Sequence, residues 1–181
     1  MVQMSEILTY TGKMFDPIAP DPGKIDIRDM AHALSLLCRA NGHFPTFYSV
    51  AQHCIACARE AMTRGYSRRV QLGCLLHDGS EAYLSDVTRP VKKALPAYLE
   101  IEKPLQDVIW ARYLDSALTQ EEIRQVFQID DELLYYEFLT HTGMALMDRA
   151  PALASAPSFA FVDFQTVEQE FLSLFRELTE A

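Results

Sequence analysis

The sequence predicts an all-α domain. Three observations carry that expectation. Apolar residues recur at spacings of three and four from Ile27 onward, the period of a helix with one buried face. Start and stop signals cut the chain into segments of helical length. Strand-like alternation is confined to one stretch near the N-terminus.

Taken in order, residues 1–26 read as an N-terminal extension. "ILTYTGKMF" has the alternation of a short extended segment or hairpin, and "DPIAPDPGK" is a proline-rich loop. A first helix begins at Ile27, with Met30, Ala33, Leu34, Leu37 and Cys38 on its apolar side, and Asn41-Gly42 stops it. "HFPTF" is a loop. Ser49 caps a second helix that runs to about Arg64, with Gly65 as its stop. Ser67 caps a third, whose Val70, Leu72, Cys74, Leu75 and Leu76 lead into His77. A short helix follows through Glu81 to Leu84, and then the basic turn "TRPVKK". Pro96 to Leu114 is long and amphipathic. "TQEE" at 119–122 has the form of a capping box and opens another helix. Ile129 to about Met147 reads as a further one, with Leu133, Leu134, Tyr136 and Leu139 inward. Residues 149–165 are a loop, and Thr166 opens the last helix, striped by Val167, Phe171, Leu174, Phe175 and Leu178. This is one domain over 1–181, of about six or seven helices.

Composition bounds the function. The chain has 181 residues, enough for a sizeable core. Its formal net charge of -9 argues against a duplex nucleic-acid partner, though not against a small anionic ligand met by a local cluster of cations. The four cysteines, Cys38, Cys54, Cys57 and Cys74, all lie in helical runs and are expected to be buried free thiols. The C-x-x-C of Cys54 and Cys57 lacks the strand-to-helix setting of a redox motif. No uninterrupted apolar run approaches membrane-spanning length, and the N-terminus has no signal-peptide pattern. A cytoplasmic, reducing location is expected, with no membrane partner. No G-x-x-x-x-G-K phosphate loop occurs.

The informative residues are ionisable groups on otherwise apolar helix faces. His53 sits among Val50, Ala51, Cys54 and Ala58. His77 and Asp78 end the third helix, and Asp130 precedes an apolar helical run. Burying such groups is costly unless they are paired or hold a metal. Two His and two Asp from separate elements offer a divalent cation nitrogen and oxygen donors with positions left open. Glu81, four residues after His77 and three after Asp78, shares their side of a helix and could orient a ligand or hold a water. Asp86 follows from the rim. Arg89, Lys92 and Lys93 form a basic cluster close by, either a solvated face or a mouth for a charged nucleotide. His32, His43 and His141 lack comparable support.

These residues carry a resemblance to the HD superfamily of metal-dependent phosphohydrolases, whose signature is H…HD…D on a helical core. "DIRDMAHALSLLCRANGHFPTFYSVAQHC" (26–54), "LLHDGSEAYLSDVTRPVKKALP" (75–96) and the Asp130 region are similar to the branch containing 5′-deoxynucleotidases and small phage or prophage proteins. The resemblance covers roughly residues 10–140. It implies His53, His77, Asp78 and Asp130 as ligands of one divalent ion (Mn, Co, Fe, Ni, Zn or Mg). It implies Glu81 and Asp86 as the acids beside a metal-activated water, and Arg39 as the contact to the substrate phosphate. The adjacent Asp131 is the alternative fourth ligand; Asp130 is preferred because Glu137 then follows at the spacing related sequences have. Close deoxynucleotidases carry Trp directly after that Arg, where this chain has Ala40. The implied activity is hydrolysis of a (deoxy)nucleoside 5′-monophosphate. Release of triphosphate from a (deoxy)nucleoside triphosphate is an alternative favoured by the 89–93 cluster, and a non-catalytic nucleotide-binding module is another. The resemblance also implies a homodimer or higher homo-oligomer, for which the long helix offers Tyr98, Ile109, Trp110 and Tyr113.

Overall fold

The computed structural model describes residues 5–180 and is an all-α bundle with one small hairpin. Met1 to Met4 of the N-terminal extension, and Ala181, lie outside the described residues. The hairpin is β1 (Ile7–Leu8) paired antiparallel with β2 (Met14–Phe15), in register Ile7 to Phe15. Asp29 fastens its turn to the helices, accepting from the Thr11 backbone N–H at 2.6 Å and its hydroxyl at 3.0 Å.

The helices are α1 (Ile27–Leu36), α2 (Val50–Thr63), α3 (Arg68–Leu76), α4 (Glu81–Leu84), α5 (Arg89–Lys92), α6 (Pro96–Tyr113), α7 (Gln120–Thr142) and α8 (Phe164–Glu180). The capping residues are those the sequence signals. Ser49 and Gln52 form a capping box on α2, Thr119 and Glu122 form one on α7, and Ser67 caps α3. Three boundaries differ from expectation. α1 ends at Leu36, and a 3-10 turn, Arg39–Gly42, follows it. Its Ala40 and Asn41 both take left-handed φ, 52° and 50°. The two helices anticipated over 119–147 are one, unbroken from Gln120 to Thr142, because the box at Thr119 starts a helix that nothing before Gly143 stops. Gly143 ends it with φ 72°, a conformation that costs glycine little. α8 starts at Phe164, two residues early, with the Asp163 carboxylate accepting from Thr166 N–H at 3.0 Å.

α2 is the centre of the molecule. It packs on α3, α7, α1 and α8, and α1 packs on α8. Buried residues occur all round it, from Val50 to Ala61, and most are Ala or Cys, small enough to let its neighbours approach closely. α8 by contrast is amphipathic and lays Val167, Phe171, Leu174 and Leu178 on the bundle. The cysteines are free thiols and Cys54, Cys57 and Cys74 are buried, as expected, but Cys38 is only partly buried, because α1 ends before it and leaves it extended. Ile109 and Trp110, read from sequence as oligomer-surface candidates, are buried within the protomer, and Tyr113 packs on Phe175. Among the described residues no helix is long and apolar enough to cross a membrane.

Candidate metal centre

His53 projects from the middle of α2 and is fully buried. His77 is the residue on which α3 ends, and Asp78 follows it. Gly79 then makes the turn. A Cβ there would lie 3.0 Å from the Leu76 carbonyl and 3.2 Å from Ile109, so any larger residue would push its neighbours back by a few tenths of an ångström. Asp130 faces them from the middle of α7. His53 Nε2 lies 3.2 Å from His77 Nε2, 3.1 Å from Asp130 Oδ1 and 4.0 Å from Asp78 Oδ2. His77 Nε2 lies 3.4 Å from Asp78 Oδ2 and 3.8 Å from Asp130 Oδ1. The four side chains anticipated as ligands thus converge from three helices. Asp131, the alternative, is half-exposed and turned towards Arg89, whereas Asp130 is buried. Adjacent helical positions point about 100° apart, so one of the two faces the imidazoles and the other does not.

Both imidazoles are oriented from behind. His53 Nδ1 is 2.6 Å from Glu137 Oε1, and His77 Nδ1 is 2.7 Å from the Cys74 carbonyl. Each ring therefore presents Nε2 to the cluster, the arrangement by which an outer acceptor sets tautomer and basicity in metal sites. Glu137, two turns beyond Asp130 on α7, is fully buried and also accepts from Arg39 at 3.1 Å. Arg39 donates to Asp78 as well, at 3.3 Å. The left-handed Ala40 and Asn41 and the bond from Arg39 N–H to the Tyr48 carbonyl fix the segment that turns this guanidinium inward.

The electrostatics follow from burial and pairing. Burial works against charge on His77, but Asp78 and Asp130 outweigh it and hold the imidazole well above its usual range. Burial likewise opposes the Asp130 carboxylate, and His53 and His77 hold it well below its usual range. Such a nest of opposite charges is neutral while the imidazoles carry protons, and it fits a divalent cation once they release them. Cys57 Sγ lies 3.5 Å from His53 Nε2, and Cys54 sits beside His77. Burial raises both thiols above their usual range, and each lies close enough to the imidazoles to reach a cation held there.

His77, Asp78 and Asp130 line a cavity of about 1100 Å³, and the fully buried His53 lies behind them. Glu81, Asp86, Arg39, Arg89 and Lys92 line it on the polar side, and Phe44, Ile123, Phe127, Leu134 and Phe138 on the apolar side. Glu81 Oε2 is buried and has no hydrogen-bond partner, while its Oε1 is 3.4 Å from Lys92 Nζ. Burial first, then Asp78 and Asp86, push this carboxyl well above the usual range. Asp86 is raised too, chiefly by burial. Lys92 also binds Glu102, and Arg89 binds Asp130 and Asp131. Lys93, grouped with these cations on sequence, is exposed and is not among the cavity's lining residues. His43 is exposed, His32 pairs with Glu168 at 2.9 Å and stacks on Tyr10, and His141 stacks on Phe44.

No family model matches the chain. It is 39% identical over 112 residues to the uncharacterized protein YfdR of Escherichia coli, a match covering 61% of this chain and 59% of that one. It is 32% identical over 127 residues to the uncharacterized protein RCAP_rcc00048 of Rhodobacter capsulatus, covering 67% of this chain and 64% of that one. The chain thus spans less than two thirds of the length of either relative.

Proposed function

We propose that the protein is a metal-dependent phosphohydrolase of the HD superfamily that acts on a (deoxy)nucleoside 5′-monophosphate. The observation that carries this reading is the convergence of His53, His77, Asp78 and Asp130, the last three of which line a cavity that apolar and aromatic side chains also line. That pairing suits a ligand with a charged phosphate at one end and a flat ring at the other. The volume, about 1100 Å³, is ample for a nucleotide. His53, His77, Asp78 and Asp130 would hold one divalent cation. Bound there, a cation supplies Lewis-acid stabilisation of charge on the phosphoryl oxygens.

The chain's own residues do the rest. Glu137 and the Cys74 carbonyl keep the two imidazoles facing the cluster. Arg39, pinned by Asp78 and Glu137, presents its remaining N–H groups to the phosphate. Glu81 is suited to hold a proton at Oε2 and to exchange it with the reacting oxygens, since that atom is buried, unpartnered and resists ionisation. Asp86, at the cavity wall, is its alternate acceptor. The aromatic wall of Phe44, Phe127 and Phe138 receives the base.

The cations beside the cluster favour a monophosphate over a triphosphate. Lys92 is committed to Glu81 and Glu102, and Arg39 to Asp78 and Glu137, so Arg89 is the cation beside the cluster left to turn to a phosphate, too little for a polyphosphate tail. The test is a screen of nucleoside mono-, di- and triphosphates with Mn²⁺ or Co²⁺ and identification of products. Release of inorganic phosphate from monophosphates, abolished by chelation and by His77→Ala, supports the reading. Inorganic triphosphate as the product would replace it with the triphosphohydrolase alternative. Undiminished hydrolysis in His77→Ala would sink both.

A further inference from the structure

Four cations line the cavity, Arg39, Arg89, Lys92 and Lys103, and the three beside the cluster are not held alike. Arg39 is 9% exposed and tied to Asp78 and to Glu137, which is itself fully buried. Lys92 is 20% exposed, between Glu81 and Glu102. Arg89 is 50% exposed. Its NH2 lies 2.6 Å from Asp130 Oδ2, and its NH1 bonds Asp131. Pulling Arg39 away would strand buried charge on both sides, a large cost. Arg89 can let go of its partners while staying hydrated, since half of its side chain is exposed even though Asp130 is buried. Its backbone is lightly held as well. α5 is a single turn, no residue of it is buried, and its N-cap Thr88 makes no side-chain capping bond.

Asp130 is shared. Its Oδ1 faces His53 at 3.1 Å and its Oδ2 faces Arg89 at 2.6 Å. A divalent cation on the imidazole side and the guanidinium on the other draw on the same negative charge and repel each other. A phosphate in the cavity offers the two N–H prongs of Arg89 a pair of oxygens, as the Asp130 and Asp131 carboxylates do now.

We propose that Arg89 is an exchangeable latch, alternating between the Asp130–Asp131 carboxylates and a phosphate group in the cavity. On the first it opposes cation binding; on the second it supports both cation and phosphate. By linkage, phosphate must then tighten the cation as much as the cation tightens phosphate. The phosphate half of this inference rests on the function proposed above.

The test is calorimetric titration of Mn²⁺ into wild type and Arg89→Ala, with and without inorganic phosphate, after circular dichroism has confirmed the fold. Arg89→Ala is expected to bind Mn²⁺ alone about threefold tighter, a gain on the scale of a partly exposed ion pair. Phosphate is expected to tighten Mn²⁺ in wild type and to lose most of that effect in Arg89→Ala, with Arg89→Lys intermediate. Unchanged or weaker Mn²⁺ binding by Arg89→Ala would overturn the latch and leave Arg89 as a prop for Asp130. An equal phosphate effect in wild type and Arg89→Ala would overturn the exchange. A wild type that binds Mn²⁺ yet hydrolyses no nucleotide overturns the proposed function, and the Mn²⁺ and phosphate titrations still decide the latch.

Discussion

Glu137 is the residue on which the cluster's geometry turns. Its two carboxylate oxygens divide between His53 Nδ1 at 2.6 Å and Arg39 at 3.1 Å. Glu137→Gln keeps the volume and removes the charge. It should weaken Mn²⁺ binding roughly 10–100-fold, the usual penalty for losing an outer partner of a ligating His. Equilibrium dialysis measures it, and an unchanged dissociation constant would remove Glu137 from the support of the site. The candidate ligands are legible in sequence because a His or Asp on an apolar helix face needs a reason to be there. Their supporters are not. Glu137 meets His53 across 84 residues and Arg39 across 98, and only the packed phases of α2 and α7 bring them together. Its place seven residues after Asp130 is the one trace the sequence holds, since that spacing puts both on one face of α7. The capture of Arg89 by Asp130 and Asp131 and of Lys92 by Glu102 left no local signal either; a run of cations reads the same whether free or paired.

Among the elements, α2 and its cap carry the most. Ser49 accepts from Gln52 N–H at 3.2 Å, and Gln52 reaches back to Ser49 N–H at 3.2 Å, with Ser49 fully buried. Ser49→Ala should cost about 1 kcal/mol or somewhat more, seen as a lower denaturation midpoint. Thr119→Ala, at the exposed start of α7, should cost less. Caps such as these were readable because the residue types that make them act locally. The single helix α7 was not, because Asp130 was taken to open a helix when it lies inside one and points inward. The connection from α7 to α8 depends on Glu60 of α2, which accepts from the N–H groups of Ala154 at 2.7 Å and Ser155 at 2.8 Å, from the Ser155 hydroxyl, and from Arg64. Burial alone would raise this carboxyl, and those hydrogen bonds together hold it below its usual range. A depressed folded value means that its contribution is full above the unfolded value, about 4.3, and fades as the pH falls through the folded one. The stability gap between wild type and Glu60→Gln should therefore be widest near neutrality and close below about pH 4. Denaturant midpoints compared across pH would reveal a constant gap if Glu60 is not the anchor.

For the molecule as a whole, the candidate site is part of the core. His53 belongs to a helix buried on every side, and Asp130 and Glu137 belong to the longest helix, α7. Any cation that binds the folded chain and not the unfolded one stabilises it by mass action, about 2.7 kcal/mol at a hundredfold excess over the dissociation constant. The all-round burial of α2 also determines where that energy shows itself in time. From Val50 to Ala58 the helix has no exposed residue and no cheap local opening, so its amide hydrogens there exchange with water only when the entire bundle opens. Mn²⁺ should therefore slow deuterium uptake along this stretch of α2 by the full factor by which it raises the global opening energy. The hairpin Ile7–Phe15, fastened at its turn through Asp29, should keep its own faster clock with or without the ion.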